Sequence, residues 1–108
     1  MRLIAELKDR QKELASWRRH LHQFPEVAYE EVMTSDFVAK KLKSFGIEVH
    51  RGLGKTGIVG VIHGLDNGDT KAPAIGLRAD MDALPMQEHT NLAYASKHSG
   101  RMHACGHD

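Results

Sequence analysis

The spacing of apolar residues changes once along this chain, at Gly46, and that change sets the order of elements any fold must accommodate. Before it, large apolar side chains fall at Leu3, Ile4, Leu7, Leu14, Trp17 and Leu21, a helical stripe running from Leu3 to His22 that Pro25 brings to a stop. A second helix fits EVMTSDFVAKKLKSFG. There Val32, Phe37, Val38, Leu42 and Phe45 share a face, lysines crowd the last turn, and Gly46 offers the left-handed residue beyond it. After Gly46 the runs shorten: IEVHRG, TGIVGVIHG and APAIGLRADM are partly β-branched, and glycines and the turn-rich LDNGDTKAP divide them. Three strands are expected, the second and third pairing antiparallel across Asn67-Gly68. The fold class is therefore α/β. Past Asp82, the stretch ALPMQEHTNLAYASKHSGRMHACGHD keeps neither period and reads as a long irregular segment, of the kind that more often carries function than not.

Composition excludes some partners. Fifteen Lys plus Arg against 14 Asp plus Glu leave a net charge of +1, which offers nothing to attract nucleic acid or an anionic membrane. A single cysteine cannot make an internal disulfide, and the apolar residues of MRLIAELKDRQKEL are broken by charges, so no signal-peptide core is present. No stretch is long and apolar enough to span a bilayer, and a cytoplasmic location is expected.

Eight histidines are the unusual feature, four of them after residue 88. Cys105 and His107 stand two apart with glycine between. On an extended backbone side chains at i and i+2 point to one side, and Gly106 has access to backbone conformations closed to other residues, so thiolate and imidazole can converge on one ion. That donor pair suits zinc and its borderline neighbours better than magnesium or calcium. A buried free cysteine beside a surface histidine is the plainer alternative, and a thiol nucleophile with His103 or His107 as base is a third. Asp80 and Asp82 flank Met81 on one face of the third strand. They could bind metal, orient a metal-bound histidine, act as acid and base, or be two solvated strand-end carboxylates. His20 and His22 near the end of the first helix read as histidines at the negative end of the helix dipole, and Arg18 with Arg19 as solvated surface.

Taken together, RRHLHQFPEVAYEE, GLRADMDALPMQE and GRMHACGHD, in this order and at these separations, resemble the amino-terminal part of the metal-dependent amidohydrolases related to hippurate hydrolase and the indole-acetyl-amino-acid hydrolases, within the aminoacylase and carboxypeptidase superfamily. The resemblance implies that residues 1–108 are the incomplete opening of a zinc-exopeptidase-like catalytic domain, two helices followed by strands of a mixed sheet. It implies hydrolysis of the amide bond of N-acyl amino acids, at one or two divalent ions. Zinc or manganese is expected, with cobalt and nickel also compatible. Cys105 matches the family's thiolate ligand and His107 the next ligand. Asp82 matches the aspartate that orients a histidine ligand beside the metal centre. Asp80 stands where relatives carry a metal-binding histidine and is not expected to be a ligand, and His103 fits the motif without a role. The Glu pair that takes and returns the water's proton, the later histidine ligands and the smaller domain all come, in the family, after the point where this sequence ends. The expected partner is a small N-acyl amino acid, with no nucleic acid and no membrane, and the complete form has room for a homodimer. The competing reading is a truncated, inactive fragment with at most weak metal binding.

Overall fold

A computed structural model describes residues 4–64 and 73–107. Three helices come first, α1 (Ala5–Asp9), α2 (Gln11–Gln23) and α3 (Val32–Ser44), followed by strands β1 (Glu48–Leu53) and β2 (Gly57–Val61). The single first helix expected from Leu3 to His22 is divided at Arg10, whose φ and ψ of −90° and 3° leave the helical region. Between Leu7 and Leu14 the sequence has no apolar residue, and α1 buries nothing, so no packing holds the first turns in line with the rest. Residues of α2 lie across α3 through Trp17 on Phe45, at 5.9 Å between ring centroids, and His20 on Phe37, at 4.8 Å. Helix α3 ends as its sequence suggests, with Gly46 at φ +74°.

The start of α3 is fixed from a distance. Glu31, its flanking residue, makes no side-chain cap. Instead the buried Glu26 carboxylate accepts from the Met33 N–H at 3.1 Å, the Thr34 N–H at 2.6 Å and the Thr34 hydroxyl at 2.7 Å. It thereby satisfies two of the amides a helix leaves unpaired at its first turn and sets a negative charge at the positive dipole end. Burial alone would raise the Glu26 pKa, but these hydrogen bonds outweigh it and hold the group below the ordinary carboxylate range. Glu31 is free for another task and accepts from the Thr56 hydroxyl at 2.6 Å, which ties the hairpin turn to α3.

β1 and β2 form an antiparallel two-stranded sheet, Glu48 opposite Val61 and His50 opposite Val59, with an irregularity between Arg51 and Leu53. The turn is tight enough that a Cβ on Gly57 would meet the Leu53 carbonyl oxygen at 2.3 Å, which restricts that position to glycine. The first and second runs pair, joined by the three residues between β1 and β2, and the expected pairing of the second run with the third is not seen among the described residues. Asn67-Gly68 falls outside the described residues. The third run forms no strand over residues 73–81. It lacks a hydrogen-bonded neighbour among the described residues, and Ile75 and Leu77 stand 89% and 96% exposed. Contiguous apolar side chains this bare belong against another surface.

The interior is small and largely polar. Ala39, Ala83 and Pro25 are buried, together with His22, Glu26, Glu31, Thr34, Ser35 and Glu88. Residues 83–107 wrap the end of α2 without regular structure. They are held by Ala83 N–H on the Glu26 carbonyl at 2.8 Å, by a reciprocal pair between Leu84 and Met102 at 2.9 and 3.0 Å, and by Lys97 N–H on the Gln23 carbonyl at 2.8 Å. No described helix is long and apolar enough to cross a membrane.

Candidate metal centre

Cys105 and His107 do come together. The Cys105 Sγ lies 3.3 Å from His107 Nδ1, and the same nitrogen lies 3.3 Å from Asp80 Oδ2. The backbone at 105–107 is a bend and turn rather than extended, and Gly106 is not among the glycines with positive φ, so the convergence comes from the turn itself. The cysteine is a free, exposed thiol. Asp80 also pairs closely with Arg78. The Asp80 carboxylate and the His107 imidazole border a cavity of about 680 Å³ whose walls include Leu21, Leu42, Ile58 and Leu77 and whose polar lining includes His22 and His103, and the Cys105 thiol lies beside that imidazole.

Asp82 is placed differently. It faces a shallower hollow with Glu31, Thr56 and Arg78, and Asp80 borders both spaces. No hydrogen bond or ion pair joins Asp82 to Cys105 or His107 among the described residues. The alternation along residues 80–82 thus sets both carboxylates toward one hollow, while only Asp80 also reaches the imidazole. Soft thiolate, borderline imidazole and hard carboxylate are a donor set that zinc-like ions accept. The set is incomplete. Among the described residues no group of three or more His, Cys, Asp or Glu is arranged to hold an ion. A second histidine–carboxylate group, Glu48 with His50 at 2.8 Å and His63 at 3.1 Å, lies on the hairpin and is mostly exposed.

Two features near the site have no periodic signal in the sequence. His22 is not a solvated helix-end residue: its Nε2 lies 3.0 Å from Glu88 Oε1, and their side chains are 8% and 2% exposed. Arg18 and Arg19 are exposed, as expected, with Arg19 stacked over the Tyr94 ring at 4.7 Å and Arg18 bordering the cavity. Burial pushes the Glu88 pKa up, but hydrogen bonds from His22, Thr90 and the Ser96 amide prevail and hold it down at about 2. Since this folded value lies below the ordinary 4.5, the stabilisation is complete above pH 4.5 and disappears as pH falls toward 2. Acidification over that window should cost the protein up to roughly 3 kcal/mol at this one group. Glu88→Gln should flatten the same part of a plot of unfolding midpoint against pH, and an unchanged plot would remove Glu88 from the acid response.

Residues 76–108 match a protein family described as peptidase family M20/M25/M40. Along its whole length the chain is 54% identical to the hippurate hydrolase of Campylobacter jejuni, of which it covers 27%. Over 91% of the chain it is 52% identical to the N-acetyl-L-cysteine deacetylase of Bacillus subtilis, of which it covers 23%. In three dimensions it superimposes on the YXEP protein of Bacillus subtilis, described as a dinuclear metal-binding peptidase from the M20 family. That match has a TM-score of 0.82 at 42% identity, covering 93% of this chain and 27% of the other. The chain spans about a quarter of the length of these relatives.

Proposed function

We propose, from the match of residues 76–108 to the family described as peptidase family M20/M25/M40, that the complete protein hydrolyses the amide bond of N-acyl amino acids with a metal-activated water. Cys105 and His107 are the first two side chains that hold the metal. The observation that carries this reading is the 3.3 Å approach of Cys105 Sγ to His107 Nδ1, at the rim of a cavity and inside the stretch that matches the family. Support for the substrate class comes from two relatives named for N-acylated amino acids, a hippurate hydrolase and an N-acetyl-L-cysteine deacetylase. When bound, a divalent ion, zinc or manganese first, supplies Lewis-acid activation of water and of the scissile carbonyl.

The remaining work falls to protein groups. Cys105 and His107 anchor from one short turn, and Asp82 orients a histidine that the family supplies from later in the chain. Leu21, Leu42 and Ile58 give the cavity that His107 borders apolar walls against which an acyl group can pack. The base that takes the water's proton also lies later. The second reading is that the 108 residues alone are inactive and bind metal weakly at most, since Cys105 and His107 are two side chains where a zinc site takes three or four.

The test uses both lengths. The complete protein should hydrolyse N-benzoyl- and N-acetyl-amino acids, stop after chelation and recover with zinc, manganese or cobalt, while the 108-residue chain should show no turnover with any of them. A complete protein inert toward N-acyl amino acids with every metal would contradict the assignment.

A further inference from the structure

The geometry points to Glu88, acting through His22, as the positioning residue that fixes the segment carrying Cys105 and His107 against helix α2. This rests on the metal-centre reading above and adds residues to it that lie outside the ligand motif.

The Glu88 carboxylate is buried and fully engaged. Oε1 accepts from His22 Nε2 at 3.0 Å and from the Thr90 hydroxyl at 2.5 Å, and Oε2 accepts from the Ser96 amide at 2.6 Å. One side chain therefore joins the end of α2 to both ends of the loop 90–96, across 66 residues of sequence. Further bonds close the same loop. His98 Nδ1 lies 2.9 Å from the Pro25 carbonyl, which can only accept, so that nitrogen carries the proton. Gln87 Oε1 accepts from the Gly100 amide at 2.8 Å. The segment is thus already placed when it reaches Met102, locked to Leu84. His103 follows, its ring 6.4 Å from that of His22, and the two histidines line one cavity with His107.

Glu88 is not itself a wall of that cavity, and none of its contacts is a candidate ligand. Its effect on the metal centre must travel through His22 and through the path of residues 96–103. Removing a carboxylate that holds a ligating imidazole changes ion affinity by roughly 10- to 100-fold, and Glu88, which holds the non-ligating His22 beside the ligand segment, is expected at the lower end of that range. The alternative is a purely structural fastener, which would lower the unfolding midpoint and leave the folded protein's affinity for metal unaltered.

Zinc affinity of the complete protein, measured by competition with a chromophoric chelator, separates the two. Glu88→Gln and His22→Ala should each weaken zinc binding by about 10-fold. His22→Gln, whose amide nitrogen can replace the Nε2 donor to Glu88, should restore affinity to within about threefold of the parent. Parental affinity in folded Glu88→Gln and His22→Ala overturns the inference. Should Glu88→Gln fail to fold, Thr90→Val removes one hydrogen bond from the same oxygen. A loss of affinity of at least about threefold is then expected, and no loss overturns the inference. Cys105→Ala is measured alongside. If it binds zinc as the parent does, the metal-centre reading itself has failed; if it loses zinc while Glu88→Gln keeps it, only the role of Glu88 has failed.

Discussion

Cys105→Ala in the complete protein lowers kcat/KM on N-acyl amino acids by more than about 100-fold, beyond the range seen when a residue merely orients a ligand. Cys105 is the single cysteine of the sequence and its thiol lies against His107, so alanine leaves one imidazole at the turn. Cys105→Asp is the informative partner. A carboxylate can ligate or bridge divalent ions but cannot replace a thiol in acyl transfer, so measurable activity in that variant supports a ligand and its complete loss supports a nucleophile. The ligand is the proposed reading because a nucleophile and its base normally come from separate parts of a fold, whereas Cys105 and His107 stand two residues apart.

Asp82→Asn is expected to weaken metal affinity and kcat by roughly 10- to 100-fold, with the ion still bound at saturating concentration. Asp82 borders the hollow beside Glu31 and Thr56, and it is Asp80 whose carboxylate lies 3.3 Å from His107. Isothermal titration of zinc into Asp82→Asn checks it. A crystal structure of the loaded complete protein with Asp82 at bonding distance from the ion would show the role to be wrong.

Local patterns in the sequence carried some features and not others. The apolar stripe on α3 and Gly46 beyond it are near-neighbour properties, and both appear where the periodicity puts them. The i, i+2 spacing of Cys105 and His107 placed their side chains together for a reason that differs in detail, a turn instead of an extended strand. The break at Arg10 falls in the gap between Leu7 and Leu14, where no apolar side chain marks the helical face, so the i, i+7 spacing joined two helices that packing does not hold in line. Pairing of the third run with the second failed because a strand is defined by its neighbour, and residues 73–81 have none among those described. Glu26 capping a helix from five residues before its flanking residue, and Glu88 meeting His22 from 66 residues away, depend on how the irregular segment folds back. Nothing in one sequence marks those carboxylates as buried.

The most direct test follows Cys105 itself, by mass spectrometry of the complete protein during turnover combined with thiol alkylation. Bound metal should shield Cys105 from alkylation, chelation should expose it, and no substrate-derived mass should appear on it at any time. An acyl adduct on Cys105 during turnover, with alkylation indifferent to metal removal, would contradict the account.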